Sequence, residues 1–191
     1  KMYLGEEEFD AYAEGLRDLA YPILPHTFAL WVMRIGLIVM FAAHIHAATT
    51  LTVLNRKARP TTYQSSRHYI AANFASRSMR VTGIVNFAYL IFHLFDLTFT
   101  GTGQEFVKGE AYANVVGSLE RPWVAAIYII GNLALIIHLT HGLWSMFQSL
   151  GLNNPRYNAI RRMVAVGGAL IVGIPNILFP IMILAGVVEH S

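Results

Sequence analysis

The stretch WVAAIYIIGNLALIIHLTHGLWSMFQS, residues 123 to 149, decides the fold of this chain. It contains no Asp, Glu, Lys or Arg. A hydrocarbon core about 30 Å thick is crossed by roughly 20 helical residues. Inside lipid a lone segment can only be a helix, because every backbone N–H and C=O must be paired within it. The run therefore predicts a membrane-spanning helix. Runs of similar length and character lie at 28 to 53, 82 to 100 and 163 to 188. Together they predict an all-α transmembrane helix bundle, with residues 1–191 as a single membrane domain. Pro175 and Pro180 in the last run are expected to bend it.

The rest of the sequence is consistent with that starting point. Of 191 residues, 55% are hydrophobic and 13% charged, a balance that excludes an ordinary soluble domain. The absence of cysteine means that the chain supplies no disulfide, iron–sulfur cluster or thiolate zinc site of its own. Any metal must be held by histidine or carboxylate. Eight histidines are present.

Charge orients the spans. Arg56, Lys57, Arg59, Arg67, Arg77 and Arg80 lie between the first two runs, and Arg156, Arg161 and Arg162 between the last two, with no acid in either segment. By the positive-inside rule, loops 54–81 and 150–162 are expected on the cytoplasmic side. The eleven acids fall at or beyond the other end. Both termini are then expected outside, as they would be if a further, fifth helix preceded Lys1. The opening segment places apolar residues at 9, 12, 16, 19 and 23, the spacing of one helical face. It predicts an amino-terminal helix along the outer interface, the alternative being a solvated acidic loop.

Histidine within a span invites a functional explanation, and depth sorts these. His44 precedes Asn55, where the basic loop begins, by 11 residues, and His141 precedes Gly151 by 10. At 1.5 Å per residue these are depths of roughly 16 and 15 Å. Two neutral imidazoles at one level on facing helices suit the axial ligation of a b-type haem. His93 follows Arg80 by 13 residues, roughly 20 Å from the same face. It has no partner at its depth, so a second haem would draw its other ligand from the upstream helix. The alternative for His93 is a hydrogen bond to a neighbouring helix.

His46 stands about 200° around the helix from His44 and is expected to be structural or to lie against lipid, whereas small Ala47 and Ala48 share the His44 face and leave room for a flat macrocycle. His138 shares a face with His141 but lies higher, and is expected to contact a haem propionate or a polar neighbour. Arg34, in the outer half of the first span, suits a propionate or a quinone headgroup through its permanently charged fork, the alternative being snorkelling to the interface. Asp96, one turn after His93, is a second intramembrane ion with no role assigned by spacing. His68, His26 and His190 are expected at solvent-exposed ends.

Three segments carry a resemblance. HIHAATTLTVLNRKARPTTY (44 to 63), ASRSMRVTGIVNFAYLIFHLFDLTF (75 to 99) and HLTHGLWSMFQSLGLNNPR (138 to 156) resemble the cytochrome b membrane anchor of succinate dehydrogenase and fumarate reductase, in its single-polypeptide, five-helix form. The resemblance implies that His44 and His141 ligate a proximal haem b and His93 a distal one, one or two haems in all. It implies a flavoprotein subunit with FAD and an iron–sulfur subunit docked on the basic face. It implies electrons passing from succinate to menaquinone or ubiquinone, or in reverse for fumarate, in a prokaryotic cytoplasmic membrane.

Ser76, Arg77 and Arg80, within SRSMRVTG, resemble a quinone-site pattern in related anchors, although a basic helix start is also ordinary for this side of a membrane. Glu6, Glu7 and Glu8 are candidate proton acceptors for a distal quinone. The nine basic residues of the two loops suit a partner surface or anionic lipid headgroups. An additional small membrane subunit is compatible with the resemblance, and no nucleic-acid partner is expected. The alternatives are a di-haem quinol cytochrome of the formate dehydrogenase or nitrate reductase type, and a histidine-based proton transporter.

Overall fold

The computed structural model describes residues 2–58, 74–99, 102–103, 106–107, 109–152 and 154–188, with side chains from Ser78 onward in the segment that begins at 74. Among these residues there is helix and no strand. The helices are α1 (Glu6–Arg17), α2 (Phe28–Ala58), α3 (Phe74–Leu97), α4 (Ala111–Leu119), α5 (Pro122–Ser149) and α6 (Asn158–Leu184), with a 3-10 turn at Pro155–Tyr157 before the last. Four of them are long and apolar enough to cross a membrane. The chain divides into two compact units, residues 10–68 and residues 1–9 with 69–191.

The predicted spans are all present, with different ends. α2 runs on to Ala58, through Arg56 and Lys57, and α3 begins eight residues before the expected 82. A helix does not stop where the hydrocarbon stops, since its backbone bonds are as good in the headgroup region as in the core. α6 spans 158 to 184 in place of 163 to 188, and it continues unbroken through Pro175 and Pro180.

The stops have local causes. Gly151 (φ 76°) closes α5, with Leu152 N–H donating to the Phe147 carbonyl at 2.9 Å and Gly151 N–H to Gln148 at 3.1 Å. Gly186 (φ 67°) closes α6 in the same way, through Val187 N–H to Met182 and Gly186 N–H to Ile183. Both are the paired-bond ending that a left-handed residue permits and glycine adopts without penalty. Pro122 opens α5 at a position where no N–H is needed.

The amino-terminal helix is real but shorter than its apolar pattern. α1 ends at Arg17, so Leu19 and Ile23 lie beyond it. Pro22 has no N–H to offer the Asp18 carbonyl, which takes the Tyr21 N–H instead at 2.9 Å. The Arg17 carbonyl is met by Thr27 N–H at 2.7 Å, and His26 Nδ1 lies 2.6 Å from Asp18 Oδ1.

In the unit 10–68, no residue of α2 is buried. An apolar run of this length suits lipid. In the other unit, α3, α5 and α6 run alternately up and down. Facing pairs show it, because as one residue number rises its partner's falls: Thr82 with His138, Tyr89 with Asn132, and His93 with Tyr128. Between α5 and α6 the pairs are Ile136 with Gly173 and Leu143 with Gly168.

Close approach at small residues is what joins helices in lipid, where hiding apolar surface gains little. A Cβ on Gly131 would stand 2.4 Å from the Tyr89 ring, and one on Gly173 2.1 Å from Ile136. At one end α4 packs in as a short plug, and Tyr112, Val116, Leu119, Val124, Tyr128, Phe179 and Ile183 form a common core there. Tyr3 joins this end by standing edge-on to Phe179 and donating its hydroxyl to the Pro175 carbonyl. Desolvation pushes the Tyr3 hydroxyl above the usual phenol range, which keeps that donor proton in place.

Candidate functional site

The functional side chains follow from the α3–α5 pairing. Residues 82, 86, 89, 93 and 96 recur every three or four positions on α3, so they share one face, and α5 answers with His138, Asn132 and Tyr128. At the basic-loop end of this seam Thr82 Oγ lies 3.2 Å from His138 Nδ1. Midway, Asn132 Nδ2 donates to Tyr89 Oη at 3.2 Å and to the Tyr128 carbonyl at 2.8 Å. Between these two levels both side-chain polar atoms of Asn86 are buried with no hydrogen-bond partner among the described residues.

The acidic end of the seam is its most heavily bonded part. Asp96 is wholly buried. Its Oδ2 accepts from Ser118 Oγ at 2.5 Å and from Tyr128 Oη at 3.0 Å. Its Oδ1 accepts from Arg121 Nη2 at 2.9 Å and from the Thr102 hydroxyl. Arg121 also donates to the Thr102 carbonyl at 2.7 Å and lies 5.3 Å over the Trp123 ring. Buried ions persist when charge and hydrogen bonds are both satisfied, and this carboxylate has a donor for each of its roughly four acceptor positions.

His93 sits one turn before Asp96, half-buried, with Nδ1 3.2 Å from Tyr128 Oη. Tyr89 and Tyr128 flank its ring at centroid distances of 6.1 and 5.7 Å. The neighbour-helix hydrogen bond entertained for His93 is therefore present, and it engages Nδ1, leaving Nε2 without a partner among the described residues. That donor set fits axial ligation, which takes one ring nitrogen while the other is held by a protein acceptor.

His141 differs. Its Nε2 lies 3.0 Å from Ser145 Oγ, one turn along its own helix, so ligation through Nε2 means exchanging that bond. His138 is joined to Thr82 and lies against Gly83, where a Cβ would be 3.4 Å from its Cε1. Both imidazoles are half-buried. Next to His141, a Cβ on Gly142 would meet nothing within 4 Å.

His44 and His46 are on exposed faces of α2, and Arg34 lies 5.2 Å over the ring of Trp31 on its own helix. α2 continues past Asn55 through Arg56 and Lys57, so the end of the helix does not mark a depth for His44. Ser76 and Arg77 fall in the first turns of α3, outside the residues whose side chains are described, and Arg80 is exposed. Glu6, Glu7 and Glu8 form the first turn of α1, where three carboxylates suit the positive end of the helix dipole. Among the described residues no three His, Asp or Glu side chains gather as a metal cage.

Spacing missed Tyr128, Arg121, Ser118 and Thr102. The available signal was Asp96 itself, because a carboxylate inside a span calls for a basic partner at its own depth, and Arg121 is the base that opens the next span.

Fold and side chains first define a class: a multi-span helical membrane protein whose spans carry imidazoles and a closed ion cluster. The family described as succinate dehydrogenase/fumarate reductase transmembrane subunit matches residues 54–174, and the chain belongs to that family. It is similar to the succinate dehydrogenase cytochrome b558 subunit of Bacillus subtilis (strain 168), 25% identical over 163 residues, which cover 85% of this chain and 73% of that protein. No solved structure matches.

Proposed function

We propose that this chain is the haem-bearing membrane anchor of a succinate:quinone oxidoreductase, carrying electrons between an iron–sulfur subunit and quinone in a prokaryotic cytoplasmic membrane. The observation that carries this is His93, a half-buried imidazole within a span, held at Nδ1 by the neighbouring helix and unpartnered at Nε2. Family membership and the name of the Bacillus relative support it.

A bound b-type haem supplies a one-electron carrier inside the membrane. In this assignment His44 and His141 hold the proximal haem and His93 contributes to the distal one. His138, beside Thr82, stands one turn from His141 as a candidate contact for a propionate, and Arg34 is a second candidate for that role. The loops at 54–81 and 150–162 face the cytoplasm and dock the iron–sulfur and flavoprotein subunits, in which FAD and the dicarboxylate chemistry reside. Ser76, Arg77 and Arg80 form the candidate quinone contacts on that side, and Glu6, Glu7 and Glu8 those on the other. Menaquinone and ubiquinone both suit this arrangement.

The test is the reduced-minus-oxidised spectrum of the purified protein carrying single substitutions. His141→Ala should remove the proximal b-type signal and His93→Ala the distal one, whereas His138→Ala should keep both. A colourless wild-type protein, or a proximal signal lost in His138→Ala but kept in His141→Ala, overturns the assignment.

A further inference from the structure

We infer, on the footing that His93 is a haem ligand, that Asp96 acts through Tyr128 to fix which nitrogen of His93 faces the iron. Tyr128 is then a positioning residue for that ligand.

Asp96 receives four donors, two on each oxygen: Arg121 and Thr102 on Oδ1, Ser118 and Tyr128 on Oδ2. A carboxylate offers about four acceptor positions and a guanidinium keeps its protons, so no place is left for a proton on Asp96. It is an anion that only accepts. The Tyr128 hydroxyl has one proton, and at 3.0 Å that proton is committed to Asp96 Oδ2. Toward His93 Nδ1, 3.2 Å away, the same oxygen can only accept. Nδ1 must therefore carry the proton, and the lone pair of a neutral His93 is left on Nε2. Free imidazole has no such constraint, and the tautomer of a histidine is set by the bond its other nitrogen makes.

The relay is built to hold this direction. Asp96 is wholly buried. The Tyr128 ring is clamped edge-on by Tyr89 at 5.4 Å and Phe92 at 6.2 Å. Asn132 ties the carbonyl of Tyr128 to the hydroxyl of Tyr89. Among the described residues the phenol has no partner beyond Asp96 and His93, and the carboxylate none beyond its four donors. The contrast is His141, whose ring is bonded at Nε2 to a serine of its own helix.

Two variants separate positioning from simple support. Tyr128→Phe keeps the ring and removes the hydroxyl, and Ser118→Ala removes a different donor from the same Asp96 oxygen without touching His93. In the assembled complex, Tyr128→Phe should weaken retention of the distal haem by about 10- to 100-fold, the usual loss for an outer partner of a metal-bound histidine. It should also raise the distal midpoint potential, because an Nδ1–H without an acceptor makes the ring a poorer electron donor. The proximal potential should stay put, and Ser118→Ala should leave both potentials unchanged even if the complex melts earlier. Equal shifts in the two variants, or no shift in Tyr128→Phe, would reduce the cluster to a structural one and overturn the inference.

A measurement without substitution stands behind these. In the full-length chain, 15N-labelled at histidine in membranes of a haem-deficient host, His93 should carry its proton on Nδ1, and a proton on Nε2 overturns the inference. Loss of the distal-ligand assignment has a different signature: His93→Ala would then retain both haems, while the Nδ1 proton would still report on the relay.

Discussion

The two ends of the α3–α5 seam hold their histidines in opposite ways. At the acidic end, His93 is bonded to a residue of another helix, and that residue is bonded to a carboxylate filled by three further donors. At the basic-loop end, His141 is bonded to its own helix and Gly142 beside it faces open space. One histidine is held by a network that joins several pieces of the chain, and the other by a single bond within its own helix. A ring bonded across helices is fixed by the fold, whereas one bonded to its own helix is fixed by a single exchangeable contact.

The largest test of this contrast is the removal of Asp96. Asp96→Leu should destabilise the protein by about 3–5 kcal/mol, because Arg121 and three hydroxyls lose their common acceptor. Unfolding of the detergent-solubilised protein checks it, and a loss under about 1 kcal/mol would show that the cluster is not closed as described. Next comes the helix contact midway along the seam. Gly131→Ala should cost about 1–3 kcal/mol, since the new methyl would meet the Tyr89 ring at 2.4 Å. Gly142→Ala, at the open end, should stay within about 0.5 kcal/mol of wild type. Similar losses at both glycines would erase the difference between the ends. Ser145→Ala should cost about 0.5–1 kcal/mol for one lost hydrogen bond. It should leave the proximal haem spectrum intact, because the bond it removes is the one that ligation through Nε2 displaces.

The contrast also explains what could be read from the amino-acid sequence. Spans are local properties, so length and apolar run were enough to find all four. Their ends depend on glycine closures and on backbone pairing beyond the hydrocarbon, which is why α2, α3 and α6 differ from the apolar limits. α1 was legible from its apolar spacing as far as Arg17 and misleading beyond it, where proline withdraws a donor. The histidines stood out because an ionisable side chain in an apolar run is conspicuous. The relay did not, since Thr102, Ser118 and Arg121 come from the segments between spans and gain meaning only when three separate pieces of chain close around Asp96. α4 was hidden for the same reason. It is nine residues long, and its buried side chains are matched to neighbours distant in sequence.

The bonds of Asp96 also bear on how the protein enters its membrane. A carboxylate on an isolated span costs about 3 kcal/mol at the bilayer centre and less toward an end, while the average hydrogen bond between membrane helices returns only about 0.6 kcal/mol. Asp96 therefore carries a cost into lipid that a single neighbour contact offsets only in part. Its four donors lie 6, 22, 25 and 32 residues downstream, so they emerge from the ribosome after α3 is complete. The hairpin from α3 through α4 to the first turns of α5 is the shortest piece of chain that holds the charge and all four of its donors.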